Sequence, residues 1–484
     1  MKIKSYHTFL LLLLPAALFS QNTFEFWLEY PVRKWSNHAI EREDGSFIAV
    51  ISERSGTNYA PSEPTKAYLL LISPNGDTAT RHYHFHDTTF NFNGIFKSYN
   101  EGYLITGFAK LPDTDELHLL LMEVDVNLDP VWIKFHDFSD YYIVGTRRVF
   151  MLNGNYLLAG GLCNFPCSSI IPLLMYFDQS GDVVSHYIHP DISTGESEYM
   201  LNSDSTRIWL FSPGLHGNGG WPSLAVFDMT PTFLYHQFIQ FGSTIITTIW
   251  HTDSTYLLSG IENRPGVPYQ DDELWILSYD TMHTIGLSNH FGAPDTLDYP
   301  AFSYAIDLNH PDTVFFAGFK HVRLGLPPPG RVSWIMTGQT DALLQERYLH
   351  FIGGDGYYET HYILATQDGG SFICAAKLDH DTKIYNLVFL KLNSEGLLTG
   401  FEGAKTQIRK TMIWPNPFSD HLQYRTLISG TELILFDISG RQALKTIINN
   451  TAGSIAVGSL KPGVYFYQLH YADGRVEMGK LVKI

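Results

Sequence analysis

Residues 368–375 read Asp368-Gly369-Gly370-Ser371-Phe372-Ile373-Cys374-Ala375, a polar turn followed by an apolar run that ends in small residues. The same pattern recurs along the preceding chain at intervals of about 50 residues, as expected of a fold built from one repeated unit. The copies span residues 44–49, 101–107, 154–160, 205–210, 254–260, 312–318 and 369–375. This repeat determines the fold of most of the chain.

A second strand-like run follows each copy and closes on a tight turn. Residues 387–392 precede Asn393-Ser394-Glu395-Gly396, and in the sixth copy residues 334–336 precede a turn at Thr337-Gly338. Turns of this composition favour hairpins. With one more strand on either side, each unit becomes a four-stranded meander, and seven such units predict an all-β, seven-bladed β-propeller.

Ring closure has its own candidate strand. Residues 24–30 form a strand-like run with no repeat before it, and we expect them to complete the last blade beside residues 397–402. The turn-and-strand pattern also resembles the propeller repeats of secreted Bacteroidota proteins. The match is closest over residues 368–396 and weakest in the fourth copy, which lacks the glycines.

The last seventy-odd residues follow a different pattern of short strands and turns, which predicts a small immunoglobulin-like β-sandwich. Its spacing resembles the type A C-terminal sorting domain of the type IX (Por) secretion system of Bacteroidota. The residues that carry the resemblance are Pro415, Asn416, Pro417, Phe418, Asp437, Gly440, Arg441, Gly463, Tyr465, Gly474, Lys480, Leu481 and Val482. The resemblance implies recognition by the outer-membrane translocon, followed by surface attachment or release.

The N-terminus adds an export signal. Two lysines, a short apolar run and a small-residue exit before Gln21 are typical of a secretory signal peptide. We therefore expect a signal peptide over residues 1–20, a propeller over 21–405, a linker over 406–413 and the sorting domain over 411–484. No later apolar run is long enough for a transmembrane helix. The predicted location is the cell surface or the medium.

Charge narrows the range of partners. The formal net charge is −17, and without the two signal-peptide lysines and the net +2 of residues 411–484 the propeller segment carries about −21. Such a surface repels phosphate backbones, so nucleic acid is not expected as a partner. Cations and neutral glycans are compatible with it.

Three cysteines are too few for a disulfide scaffold. Cys163 and Cys167 lie four residues apart in an apparent loop, and an exported protein can form a disulfide there. The alternative is two free thiols. Cys374 lies within an apolar run and is interpreted as a buried strand thiol.

The connections between the second and third strands are long and varied, which makes their face of the propeller the expected binding surface. His216, Trp221, Arg264 and Arg331 lie on these loops and are candidate ligand contacts, although Trp221 could equally fill the end of its blade. Histidines recur near the outermost strands at residues 86, 136, 189, 290 and 350, with Gln240 in the phase of the missing one. Because they fall on different blades, we expect a structural role for them.

No catalytic residue, cofactor or metal site is predicted. Acidic loops at residues 113–116, 271–273 and 379–381 could bind Ca²⁺, but none has the pattern of a dedicated calcium loop. Residues 82, 84 and 86 are histidines that a strand would place on one face. Two functions stay open: a non-catalytic module that binds a glycan or protein, and an extracellular polysaccharide hydrolase or lyase.

Overall fold

The computed structural model describes residues 22–28, 33–54, 66–85, 88–112, 116–138, 141–163, 170–190, 192, 198–212, 223–239, 244–262, 272–293, 296–321, 330–379, 384–398, 412–414, 417–425, 430–450, 452–470 and 476–484. These residues are all-β, as predicted. The chain divides into two compact units, Met1–Glu402 and Gly403–Ile484. Most of the expected linker, residues 406–411, lies outside the described part.

The first unit contains seven antiparallel sheets of four or five strands. In chain order, the first sheet contains β2 (Arg33–Trp35), β3 (Ala39–Glu41), β4 (Phe47–Arg54), β5 (Lys66–Ile72) and β6 (Thr78–His82), and the second contains β7 (Thr89–Lys97), β8 (Tyr103–Lys110), β9 (Leu117–Val124) and β10 (Pro130–His136). The third contains β11 (Tyr142–Leu152), β12 (Asn155–Cys163), β13 (Ile170–Phe177) and β14 (Val183–Ile188), the fourth contains β15 (Glu198–Leu201), β16 (Arg207–Ser212), β17 (Ser223–Asp228) and β18 (Phe233–Phe238), and the fifth contains β19 (Thr244–Thr252), β20 (Thr255–Glu262), β21 (Glu273–Asp280) and β22 (Ile285–Phe291). The sixth contains β23 (Tyr299–Pro300), β24 (Ile306–His310), β25 (Thr313–Lys320), β26 (Trp334–Thr340) and β27 (Glu346–Gly353), and the seventh contains β28 (Tyr357–Ala365), β29 (Ser371–Asp379) and β30 (Ile384–Leu392) with the N-terminal strand β1 (Phe24–Leu28). We call these sheets blades 1 to 7. Each repeat copy supplies the second strand of one blade, which is buried along most of its length in every case.

The blades form a closed ring. The first, innermost strands of successive blades contact one another from β7 through β11, β15, β19 and β24 to β28, and β2 of blade 1 contacts β30 of blade 7. The N-terminal strand β1 completes blade 7 by pairing antiparallel with β30, from Phe24 opposite Lys391 to Leu28 opposite Leu387. The prediction that this strand lies beside residues 397–402 was therefore wrong. The third strand already offers a free edge, so β1 pairs there directly.

A single hydrophobic core joins the two ends of the ring. Phe24 contacts Phe47 of blade 1 and Phe372 of blade 7, and those two rings stack at 4.1 Å. Tyr68 and Phe389 belong to the same buried cluster. Closure therefore rests on side-chain packing as well as on the backbone pairing of β1.

One turn recurs after the third strand of every blade, and in blades 1 to 6 it leads into the fourth strand. A side-chain oxygen at the end of the third strand accepts hydrogen bonds from the backbone N–H groups two and four residues later, at 2.8–3.3 Å. The residues that accept are Ser73, Asp125, Asp178, Asp228, Asp280, Asp341 and Asn393. Such local side-chain bonds end the strand and fix the turn. Many of the acidic residues of this unit therefore have a structural role.

The outer strand of one blade holds the turn of the next. Trp132 donates a hydrogen bond to the carbonyl of Gln179 at 2.9 Å, and His350 bonds the carbonyl of Glu395 at 3.0 Å. His136 and His189 lie beside the backbone of Gly181 and Pro231, but their Nε2 atoms have no hydrogen-bond partner among the described residues. The histidines lie on different blades, and His350 bonds the turn of the neighbouring blade; a structural role for the others stays a prediction. His86 and Gln240 lie outside the described residues.

In the sixth blade the turn comes later than the sequence indicated. β26 continues to Thr340, and its turn begins at Asp341. Gly338 lies inside the strand. The position requires glycine, because the ring of Phe316 occupies the space that a Cβ atom at residue 338 would need. The prediction of a turn at Thr337-Gly338 was wrong because this glycine serves close packing.

We expect Gly338→Ala to destabilise the propeller by about 1–3 kcal/mol, because the added methyl group overpacks a buried contact. Chemical unfolding monitored by tryptophan fluorescence measures this cost. Gly330→Ala is the comparison, since no atom of the described residues lies within 4 Å of a Cβ there, although its positive φ adds some strain of its own. Equal stability of Gly338→Ala and the wild type would contradict the packing role.

The second unit is a small β-sandwich. One sheet contains β31 (Met412–Trp414), β32 (His421–Arg425) and β35 (Ala452–Ala456), and the other contains β34 (Gln442–Ile448), β33 (Thr431–Asp437), β36 (Gly463–His470) and β37 (Val476–Lys483). Its core lies between the sheets and includes Leu422, Leu433 and Leu469. This is the arrangement that the sequence predicted.

Candidate functional site

The innermost strands of the propeller are interrupted at one level of the central channel. Bulges leave one residue unpaired in blades 2, 3, 5 and 7, at Asn93, Arg147, Ile246 and His361. In blades 1 and 6 the inner strand breaks instead, between β2 and β3 and between β23 and β24. Bulges redirect side chains and release backbone groups from the sheet. We call this level the channel ring.

Arg148 lies at the centre of the channel ring. Its Nε donates to Glu198 of blade 4 at 2.5 Å, and its Nη2 donates to the carbonyl of Thr248 of blade 5 at 3.2 Å. Glu198 is buried, whereas 24% of the Arg148 side chain is exposed although protein surrounds it. Burial raises the pKa of Glu198, and Arg148 opposes that rise. Arg148 thus connects three blades, two through the ion pair and the third through the hydrogen bond to Thr248.

Tyr304 crosses the channel from blade 6. Its hydroxyl donates to the carbonyl of Arg147 at 2.8 Å, and its ring lies 4.6 Å from the Arg148 guanidinium and 4.7 Å from the ring of His38. His38 in turn accepts a hydrogen bond from the backbone N–H of Ile95 in blade 2. Blades 1, 2, 3 and 6 therefore meet at this point of the channel.

Blade 7 completes the channel ring. The break in blade 6 bonds to β28 through the backbone, with Ser303 donating to the carbonyl of His361 at 2.8 Å. His361 Nδ1 bonds the carbonyl of Ser36, and Asp307 accepts from the backbone N–H of Ala365 at 2.8 Å. All seven blades contribute to a continuous polar network.

Burial controls the charge of these groups. It lowers the pKa of His38 to about 3, helped by Arg148, and that of His361 to about 4, so both imidazoles are neutral near pH 7. Burial also raises the pKa of Asp307 to about 6, against the hydrogen bonds from Ala365 and Leu308. Arg148 is the cation of the channel ring, and Glu198 is its direct counterion.

The low pKa of His38 makes stability dependent on pH. As pH falls below about 6.5, the unfolded chain binds a proton that folded His38 accepts only near pH 3. Folding stability is therefore lost through this window, while Asp307 has the opposite effect below pH 6. We expect the wild type to lose about 2 kcal/mol more between pH 7 and pH 4.5 than His38→Gln does. Urea unfolding at both pH values measures the difference, and parallel pH profiles would contradict it.

Three polar atoms of the channel ring have no hydrogen-bond partner among the described residues. Thr248 Oγ1 and Asn93 Oδ1 are buried and have no hydrogen-bond partner. Among the described residues, Arg148 is bonded through Nε and Nη2 only, so Nη1 has no partner there. The set combines a cationic donor with two groups that can accept. A ligand hydroxyl, which both donates and accepts, matches this combination.

The predicted ligand contacts fall mostly outside the described residues: His216, Trp221 and Arg264 do so. Arg331 is described, and its Nη2 donates to the carbonyl of His321 at 3.2 Å within its own loop. The neighbouring loop is organised by buried Asp298, which accepts from the backbone N–H groups of Ala293 and His321. Burial raises the pKa of Asp298. The role of the long-loop face as a ligand surface stays a prediction.

Cys163 is disulfide-bonded, whereas Cys374 is free and buried as expected. Cys167 lies outside the described residues, so its pairing with Cys163 stays a prediction. In the described ranges no group of three or more His, Cys, Asp or Glu residues could hold a metal ion. β6 ends at His82, so His84 does not continue a histidine face on that strand.

Several sorting-motif residues connect the start of the second unit to its last strand. Phe418 is buried, and its backbone bonds Val482 and Ile484 at 2.8 and 2.9 Å. Leu481 and Tyr465 pack in the same core, while Lys480 and Pro417 are exposed. Asp437 fixes the turn to Arg441, with Gly440 at a φ of 79°, and Gly463 begins β36. Pro415, Asn416 and Gly474 lie outside the described residues.

Residues 412–483 match the secretion system C-terminal sorting domain family. No curated protein matches the sequence. Among the described residues no helix has the length and apolar character needed to cross a membrane.

Solved structures similar to the chain are distant. The surface component PorZ of the type IX secretion system of Porphyromonas gingivalis is 9% identical, with 95% of this chain and all of that chain covered and a TM-score of 0.28. The β-propeller domain of the Trilobed protease from Pyrococcus furiosus is 8% identical, covering 77% and 100%, with a TM-score of 0.41. An α-L-arabinofuranosidase of Fusarium graminearum is 8% identical, covering 76% and 97%, with a TM-score of 0.39.

The fold and the C-terminal family match define an all-β protein in which a propeller precedes a sorting domain. The chain is a surface protein exported by the type IX secretion system, and the secretion machinery is therefore one of its partners.

Sequence reasoning did not single out Arg148, Glu198, Tyr304 or Asp307. Arg148, Glu198 and Asp307 lie in the first strands of their blades, and Tyr304 lies in the break between β23 and β24, so none belongs to the repeat pattern read from the sequence. The first strands of the seven blades can be compared at the residues that lie opposite the small residues of the second strand. That comparison would have drawn attention to the adjacent pair Arg147 and Arg148. The bulges and breaks that interrupt the inner strands near these residues leave no sequence signature.

Proposed function

We propose that the propeller is a non-catalytic binding module displayed outside the cell, and that the channel ring binds a neutral extracellular glycan. The main support is three polar atoms of the channel ring that have no hydrogen-bond partner among the described residues: Arg148 Nη1, Thr248 Oγ1 and Asn93 Oδ1. Sugar hydroxyls can accept from the guanidinium and donate to the other two. The acidic surface of the unit also disfavours polyanions.

The network itself supports a non-catalytic role. Glu198 is held by Arg148, the Tyr304 hydroxyl by a carbonyl, and both histidines by backbone groups. A catalytic acid or base must be free to exchange a proton with its substrate. Here the ionisable side chains hold the blades together.

A hydrolase is the second candidate, because one feature favours it. Asp307 has a pKa of about 6, close to that of a general acid, and Glu198 supplies a second carboxyl group to the same channel. Glycosidases use such a pair. This reading predicts turnover that Asp307→Asn abolishes without unfolding the protein.

The test measures binding and turnover on the same full-length chain. Neutral polysaccharides and their oligosaccharides are screened by calorimetry and by release of reducing ends. We expect binding without turnover, weakened at least tenfold by Thr248→Val, with Thr206→Val as a matched control on an exposed turn. Turnover that depends on Asp307 would replace this proposal with the hydrolase. Silence on every glycan would also overturn it and leave a protein partner.

A further inference from the structure

Blade 6 carries an exposed aromatic ring on the segment that lines the channel. Phe302 lies in the break between β23 and β24, the innermost part of its blade, two residues before Tyr304. Its side chain is 36% exposed, whereas Phe319, whose ring centre lies 5.0 Å from that of Phe302, is buried. Packing against Phe319 therefore leaves part of the Phe302 ring open to solvent.

The backbone around Phe302 is held by the blades on both sides. The N–H of Phe302 donates to the carbonyl of Thr360 in blade 7 at 3.1 Å. The N–H of Ala305 donates to Thr247 Oγ1 in blade 5 at 2.7 Å. Because neighbouring blades fix this segment, the exposed ring stands on a rigid support. Groups that are preorganised in this way lose less conformational freedom on binding.

His361 adds a polar atom beside the ring. The ring centres of His361 and Phe302 lie 6.3 Å apart. His361 Nδ1 bonds the carbonyl of Ser36 at 2.9 Å, and a carbonyl only accepts, so Nδ1 carries the proton and Nε2 is the acceptor. Among the described residues Nε2 has no hydrogen-bond partner. A pyranose ring matches this arrangement, since its C–H groups can stack on an aromatic ring and its hydroxyls can donate.

Tyr304 limits what can enter the channel. Its hydroxyl reaches the carbonyl of Arg147 in blade 3. Blades 3 and 6 have two blades between them on one side of the ring and three on the other, so Tyr304 spans blades that are as far apart as the ring allows. A linear polymer that follows the channel axis meets this bridge next to Phe302. The end of a chain can stop there.

We propose that the channel ring recognises the end of a glycan chain, with the terminal pyranose residue stacked on Phe302. This inference rests on the proposed glycan-binding function and specifies which part of the glycan binds. An internal residue of a chain that enters along the axis is excluded, because one of its two neighbours would have to pass the Tyr304 bridge. The hydroxyls of the terminal residue donate to His361 Nε2.

The test varies the number of chain ends at constant sugar content. Galactan, mannan and β-glucan are each titrated into the full-length protein by calorimetry, intact and after limited endo-hydrolysis, at equal mass. We expect the mass concentration at half-saturation to fall in proportion to the rise in chain ends. Binding that is unchanged or weaker per unit mass after hydrolysis would overturn chain-end recognition and leave glycan binding intact. Silence on all three in both forms would overturn this inference and count against the proposed function as well.

Phe302→Leu tests the stacking, because leucine can still pack against Phe319 but has no flat face. We expect it to weaken binding of the hydrolysed polysaccharide about tenfold, and Phe302→Tyr to retain binding. Phe351→Leu is the matched control, since Phe351 is exposed to a similar degree on the outer strand β27. Thermal midpoints establish that the variants are folded. Wild-type affinity in Phe302→Leu, or an equal loss in Phe351→Leu, would contradict the proposal.

Discussion

Replacing Arg148 by methionine is expected to lower the free energy of unfolding of the propeller by about 3 kcal/mol or more, because it leaves buried Glu198 without its counterion. The substitution also removes the contact with the Thr248 carbonyl and the stacking on Tyr304. Urea denaturation followed by tryptophan fluorescence gives the stability. The loss should shrink at acidic pH, where Glu198 becomes neutral.

The exposed ion pair between Lys134 and Asp182 provides the control, at 2.7 Å but open to solvent on both sides. Lys134→Met should change stability little, because solvent screens such pairs. Adding Glu198→Leu to Arg148→Met should recover part of the loss, since the unpaired carboxylate is then absent. An Arg148→Met protein as stable as Lys134→Met would show that the channel ring does not hold the blades together.

Phe24→Ala is expected to destabilise the propeller by about 3–5 kcal/mol, the usual cost of removing a buried phenylalanine ring. The ring contacts Phe47 and Phe372 and covers Gly76 in the hairpin turn of blade 1. Its loss leaves a cavity at the junction of the first and last blades. Opening of the ring should also make the chain after residue 28 more sensitive to proteolysis.

Phe351→Ala makes the same chemical change on the surface of β27, where the side chain is more than a third exposed. It should have a much smaller effect on the unfolding midpoint and on proteolysis. If both variants behave alike, β1 is not the element that closes the ring, and the closure seen in the pairing with β30 contributes little to stability.

Much of the fold was predictable because it repeats. The small, aromatic and β-branched residues at 44–49 and its later copies specify buried second strands, and the turn residues Asp178 and Asn393 specify hairpins. The sequence-based predictions were wrong where the same residue or segment is compatible with two structural roles. Gly338 resembles a turn glycine but makes room for Phe316, and residues 24–30 identify a closing strand without identifying its partner.

The candidate site was much less predictable. Arg148, Glu198, Thr248 and Tyr304 are distributed over four blades, and Tyr304 is 157 positions from the carbonyl it bonds. No local pattern links such residues. Their pKa values depend on burial by neighbours from several blades, which sequence spacing does not reveal.

The sequence by itself determined the C-terminal sorting signal, the number of repeats, the all-β class and the acidic character of the propeller segment, because these depend on local composition and period. The tertiary structure decided which residues meet at the channel ring and which strand closes the ring. The physical reason is ring closure. It brings residues that are distant in the sequence within hydrogen-bonding distance at the channel.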